Sequence, residues 1–409
     1  MQTPFISGYS SQTLDDTDTE YNSCWGAGYI WESNHLWRSQ LIPASGVIKL
    51  LRVELTASPN GATKSYTFTL MLNGNPTALT CAITNAETSN EDIVNEVVVS
   101  AGDYISLRCA PANTPDVVSA QWTMMFEGDT SSESIVIGGD NGALNITSTQ
   151  YNCLACGYNN WVSDETAIQQ IIPTNGTIKN LYVRLSEAPA NGGKYTFTLF
   201  VAGAPTTLTC GVTDPATTAS DLVNTVAVAA GQSVSIRVSP SDSPTATPYA
   251  YWGVVFVPAT RGYSMQLGSE TAGPDDTDES FIQITPNPTA NSWNGGLINV
   301  QQLTQACTLS NFFMAVDTAP GAGKSILFEI SVNGIDSGVS VLLEDSDTTG
   351  NSGAASAAVN AGDNIAIHAT PTGTPTTDYC HWGLQSYIAY DSPVIIGSSI
   401  SSLISAGII

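Results

Sequence analysis

GVIKLLRVELTASP, residues 46–59, alternates polar and apolar side chains and closes on proline. On an extended chain Ile48, Leu50, Arg52 and Glu54 fall on one face, and Leu51, Val53 and Leu55 on the other. A period of two, branched aliphatic residues and a terminal Pro predict a β-strand. The stretch recurs as GTIKNLYVRLSEAP at 176–189 and as CTLSNFFMAVDTAP at 307–320. Two further landmarks recur at a spacing of 130 residues: Trp122, Trp252 and Trp382, and Lys64, Lys194 and Lys324. Self-similarity at a fixed period means a repeat architecture. Each unit has the size of an ordinary domain with a core of its own.

Outward from that strand the pattern stays β. Each unit opens on an apolar stretch and a glycine: TPFISG (3–8), SIVIGG (134–139) and YSMQLG (263–268). After the proline come KSYTFTLMLNG, GKYTFTLFVAG and KSILFEISVNG, which end in Asn-Gly or Ala-Gly. Asn-Gly between apolar runs is a hairpin signal. Then follow TALTCAIT and TTLTCGVT, a pair of short strands around an AGD or AGQ turn, and the tryptophan strand. No segment carries a helical period with caps. The expected fold is all-β: three tandem antiparallel β-sandwich domains, jelly-roll-like, at 1–130, 131–262 and 263–390. Residues 391–409 restart the repeat and stop, since SPVIIG matches the opening strand. The chain thus holds four opening strands and three bodies. Val394, Ile395, Ile396, Ile400, Leu403 and Ile404 of that tail are candidates for docking on a partner's sheet, against the alternative that they fold back locally.

Composition narrows the function classes. The chain carries 11 basic and 36 acidic residues, a net charge of −25. From 263 onward Lys324 is the single base against 14 acids. Nucleic acid and anionic membranes need clustered Lys and Arg, so neither is an expected partner. Only 11% of residues are charged, which leaves a surface of Ser, Thr, Asn, Gly and Ala, suited to display outside a cell. The N-terminal MQTPFISGYSSQ lacks the basic start and apolar core of a secretory signal. Either a signal has been removed or the protein is made in a cytosol and released by lysis, as virion proteins are; the second is the expectation. Eight cysteines are too few for a disulfide scaffold of this length. Cys81 and Cys210 match across repeats, as do Cys24 and Cys156 approximately; a disulfide in each domain and buried thiols both fit.

The order of strand, AP turn, TFTL strand, NG, LTC strand, AGD turn and Trp strand resembles tandem jelly-roll modules of phage and bacterial surface proteins. It is similar to the complement globular-head and tumour-necrosis-factor type. The resemblance implies trimeric packing, display, and adhesion or capsid decoration. It leaves open whether three copies in one chain pack as an intrachain pseudo-trimer or string out as beads.

Candidate chemistry is sparse. Asp15, Asp16 and Asp18 in one DDTD turn, and Asp275, Asp276 and Asp278 in another, bring hard oxygen ligands together, and calcium is the ion such sets take. Repeat two has Asn145 and Ser148 there, which favours a solvated turn; the expected cofactor is none, with calcium as the alternative. His35, Trp37 and Arg38 are peculiar to the first repeat and are the ligand-binding candidates, with a glycan as the ligand. Tyr29, Trp31, Trp37 and Tyr151 are the aromatic set for a sugar-stacking platform, but Trp31 recurs as Trp161, which points to packing. No nucleophile motif, metalloprotease motif or phosphate loop is present, so an enzyme is not expected. The leading expectation is a non-enzymatic virion surface protein that decorates or cements a capsid, or forms part of a fibre, and assembles with itself and with other virion or surface proteins. The alternatives are an extracellular filament subunit joined by strand exchange and a carbohydrate-binding adhesin.

Overall fold

The computed structural model describes residues 2–10, 12–26, 30–130, 133–157, 161–285, 293–295, 301–376 and 378–388. The chain is all-β. In the first repeat the strands are β1 (Gln2–Ser10), β2 (Glu20–Asn22), β3 (Gln40–Leu41), β4 (Gly46–Leu55), β5 (Ser65–Leu72), β6 (Asn75–Thr84), β7 (Ser89–Val99), β8 (Tyr104–Ala112) and β9 (Ala120–Gly128). They form two sheets, ordered β1-β9-β4-β7 and β2-β8-β5-β6, with β3 also on β8. Neighbouring strands pair antiparallel. The chain winds between the two sheets in the manner of a jelly roll. Repeats two and three reproduce both sheets. Among the described strands the third repeat's counterpart of β7 differs, being broken into Thr349–Asn351 and Ser356–Val359.

The repeated tryptophans explain why the sandwich closes. Trp122, Trp252 and Trp382 are buried at 1%, 0% and 0% exposure. Each donates its indole N–H to the short loop that covers it: Trp122 to Ser23 and Cys24 O, Trp252 to Leu154 O at 2.9 Å, Trp382 to Ile284 O at 2.7 Å. A second tryptophan packs on each, Trp31, Trp161 and Trp293, with ring centroids 5.3, 5.3 and 6.4 Å away. Opposite each indole lies the glycine of the opening strand. A Cβ on Gly138 would stand 2.4 Å from Trp252 Nε1, and one on Gly268 equally close to Trp382. The aromatic ring thus dictates the glycine across the sheet.

The face assignment of β4 is corrected. Leu50 has φ +60°, and the pairing with both neighbours shifts there. This is a β-bulge, which leaves one extra residue unpaired and resets the alternation. Ile48 therefore joins Leu51, Val53 and Leu55 in the core, while Arg52 and Glu54 lie outside. Asn180 (φ +54°) and Asn311 (φ +48°) take the same conformation in the other repeats.

The three repeats close head to tail into a ring, which is the pseudo-trimer and not the string of beads. β3 lies against the opening and tryptophan strands of repeat two, Ser134–Asp140 and Ala250–Pro258. Gln170–Ile171 of repeat two lies against Tyr263–Glu270 and Cys380–Tyr387 of repeat three, and Gln301–Gln302 of repeat three returns to β1 and β9. Cross-seam bonds include Gln40 Nε2 to Cys156 O at 2.8 Å and Thr285 Oγ1 to Ser7 O at 3.4 Å. A head-to-tail contact ends in a ring when its rotation closes. Repeats one and two share a continuous apolar core that also takes in Met265 and Leu267, whereas the rest of repeat three has a separate core.

Candidate functional site

Two features stand out from the repeated scaffold: the seams inside the ring and a pair of apolar protrusions outside it. Each seam carries one buried glutamine at a matching position, and Gln40 also bonds across its seam. Gln40, Gln170 and Gln301 are 0%, 0% and 1% exposed. Gln40 accepts from Trp25 N and donates to Trp25 O, both at 2.8 Å. Gln170 does the same with Ala155 at 2.9 Å, and Gln301 accepts from Thr285 N. A carboxamide supplies one donor and one acceptor, so it satisfies both peptide groups of a loop that no strand covers. Around this shared glutamine the seams diverge. Gly253 and Gly383 let the neighbour's backbone in: a Cβ would sit 2.3 Å from Leu41 O and 1.8 Å from Ile171 O respectively.

The outer protrusions lie on β7 and its counterpart Thr218–Val228, the edge strands of their sheets. Asp92, 8% exposed, accepts from Thr80 N at 3.0 Å, Val94 N at 3.1 Å, Asn95 N at 2.9 Å and Asn95 Nδ2 at 3.0 Å. Burial acts to raise its pKa, but these hydrogen bonds outweigh it and hold the carboxyl below the usual carboxylate range. Asp221 makes the same four bonds, from Thr209, Val223 and Asn224, and is shifted the same way for the same reasons. The folded-in aspartate forces the next two side chains outward. Ile93 and Val94 are 64% and 85% exposed, and Leu222 and Val223 are 55% and 88% exposed. Repeat three breaks its strand at this point.

The acidic turns have a local role. Asp15 Oδ1 accepts from Thr17 N, Thr17 Oγ1 and Asp18 N at 2.7–2.8 Å, and Asp275 repeats the set. The bond from Asp18 N leads in lowering the Asp15 pKa, and the bond from Thr277 N leads for Asp275. Asn145 makes the same three bonds without a charge, so the turn needs the oxygen and not the anion. Asp18, Asp276 and Asp278 are exposed and Asp16 half-buried. Among the described residues no group of three His, Cys, Asp or Glu side chains converges as a metal site.

His35, Trp37 and Arg38 sit together on a 3-10 turn, His35–Arg38, beside the seam between repeats one and two. Arg38 is fully buried, donating from Nε to Ile30 O at 2.9 Å and pairing with Glu32 at 3.3 Å. Trp37 meets Tyr249 of repeat two edge-on at 6.4 Å. His35 stacks on Tyr104 at 6.2 Å, whose ring also lies 4.7 Å from the Arg184 guanidinium of repeat two. Burial lowers the His35 pKa. Leu36 O accepts from the Tyr251 hydroxyl across the seam. The turn is therefore a joint between repeats. Trp31 is core, at 4% exposure. All eight cysteines are buried free thiols, and burial raises the pKa of Cys81 and Cys210 to about 12. Val394, Ile395, Ile396, Ile400, Leu403, Ile404 and Tyr29 lie outside the described residues.

Sequence reading missed the partners of two histidines. His381 Nδ1 lies 2.9 Å from Ser269 Oγ, and its Nε2 lies 3.3 Å from Asp317. The residue types are those of a hydrolase triad, but the ring nitrogens are reversed, with Nδ1 and not Nε2 toward the serine, and Ser269 and His381 are 0% and 3% exposed, so no substrate carbonyl reaches the hydroxyl. His368 stacks on Phe281 at 4.4 Å and binds Asp336 at 2.9 Å. The seam glutamines were also missed, although QLIP, QIIP and QQLT at 40–43, 170–173 and 301–304 carry the signal. No family model matches the chain, and no curated protein matches its sequence.

Proposed function

We propose that the chain is a non-enzymatic structural protein of a virion surface, a decoration or fibre component that acts as a ready-made three-domain block and associates with copies of itself through its sheet edges. The observation that carries this reading is the pair of apolar protrusions on the outer edge strands. Exposed apolar residues scattered singly are ordinary. Here two adjacent ones recur at matching positions, each held out by a buried, four-bonded aspartate. A bulge on an edge strand also blocks indiscriminate strand addition, so contact there goes through side chains. The ring supplies the rigid body for that contact.

The test is the mass of the particle in solution. The wild-type chain is expected to form oligomers by analytical ultracentrifugation. The variant Ile93→Ser, Val94→Ser, Leu222→Ser, Val223→Ser is expected to remain a single chain at an unchanged melting temperature. A wild-type protein that sediments as one chain at every concentration removes this reading.

A further inference from the structure

Beyond the shared glutamine, the seam that returns from repeat three to repeat one departs from the other two at four matching positions. The chain itself provides the control, since three seams are built from one plan. The position of Tyr182 and Phe313 is Arg52. The position of Leu41 and Ile171 is Gln302. The position of Gly253 and Gly383 is Thr123, opposite Arg52 in register. Tyr251 and His381 correspond to Gln121. Two aromatic-and-aliphatic seams thus have a third, polar counterpart.

The polar seam is also not fully closed. Thr123 carries a Cβ where Gly253 and Gly383 have none, and at those two glycines a Cβ would meet the neighbour's backbone. Beside Arg52 a cavity of about 330 Å³ opens, lined by Arg52, Ser89, Asn90 and Glu91 of repeat one and Gln302 of repeat three. Arg52 pairs with Glu91 through Nε at 2.8 Å and through Nη2. Gln302 donates to Glu54 at 3.4 Å, which also accepts from Gln121 at 2.6 Å. Four polar atoms along the seam are buried without a partner: Ser7 Oγ, Gln302 Oε1, Gln121 Oε1 and Thr123 Oγ1, of which Gln302 Oε1 belongs to a residue that lines the cavity. Gln121 and Thr123 are themselves 8% and 0% exposed. Buried polar atoms are otherwise almost always satisfied, and each exception calls for an explanation.

We infer that this seam is a binding site for a neutral, hydroxyl-rich ligand, a saccharide unit. The cavity volume lies at the lower end of ligand-site sizes, about 300–1,000 Å³. Among the described residues its lining has no aromatic or aliphatic wall, so an apolar molecule gains little there. The Arg52 and Glu91 charges cancel, and a chain of net charge −25 repels anions. What remains is a mixed set of donors and acceptors. Hydroxyl groups are both at once, so a sugar meets either kind without a fixed pattern of charge. The site does not depend on self-association, and His35, Trp37 and Arg38 take no part in it.

The test is saturation-transfer difference NMR on the full chain, with the methyl glycosides of glucose, galactose, mannose and N-acetylglucosamine as probes. At least one is expected to receive saturation. Arg52→Tyr with Gln302→Leu imports the residues of the first seam, which this chain already folds around. Ser89→Trp fills the cavity from an exposed position and serves if the double variant does not fold. Either change is expected to weaken binding roughly tenfold or more, the scale of a lost hydrogen bond to a charged group, with the melting temperature retained. No transfer to any glycoside in the wild type means that water alone fills the cavity, and overturns the inference. Transfer that persists in a folded variant overturns it as well. Neither result touches the ultracentrifugation test of assembly.

Discussion

Glu20 accepts from Asp15 N at 2.8 Å beneath the first acidic turn, and burial pushes its pKa from an ordinary 4.5 to about 7. A carboxyl whose folded pKa lies above its unfolded value destabilises the fold once it ionises. Stability is therefore lost as pH rises from 4.5 to about 7. Gln150 performs the same task in repeat two, accepting from Asn145 N at 2.7 Å with no charge. Glu20→Gln is expected to raise the melting temperature at about pH 8 and to leave it unchanged near the unfolded pKa. Thermal melts at the two pH values decide it; an equal shift at both assigns the gain to something other than ionisation. Leu50 shows the limit of reading one residue at a time. Leucine disfavours the left-handed region, so nothing in it announces a bulge. Asn180 and Asn311, which tolerate that conformation, carried the hint in the sister repeats.

At the scale of the element, β7 depends on a single side chain. Asp92→Ala removes the acceptor for Thr80 N, Val94 N and Asn95 N at once. Losing several part-buried hydrogen bonds to one carboxylate is expected to cost about 1–2 kcal/mol, measured by urea unfolding. The protrusion should collapse with it, so assembly should fall along with stability. The serine variants, by contrast, should separate the two. A loss under about 0.5 kcal/mol, the range of ordinary surface substitutions, would mean that the bulge holds itself without the carboxylate. Strands of this kind were legible because alternation is local: burial on one face writes itself into every second residue. The bulge was not legible, because one extra residue is decided by pairing with the strand alongside.

For the whole molecule, the distribution of apolar contact predicts how the ring comes apart. Repeats one and two share one core, whereas most of repeat three has its own, and the returning seam is polar. Calorimetry is expected to show two endotherms, the smaller from repeat three and the larger from repeats one and two together. One two-state transition for the full chain contradicts this. The amino-acid sequence by itself determined the β class, the threefold duplication and most strand positions, because side-chain period, turn chemistry and the recurrence of tryptophan are properties of neighbours along the chain. Only the tertiary structure decided that the three bodies close into a ring, that His35–Arg38 is a joint, and that one seam of three is polar and hollow. Those outcomes depend on which surfaces meet across long separations, and a buried glutamine or a tolerated glycine takes its meaning from the backbone that arrives opposite it.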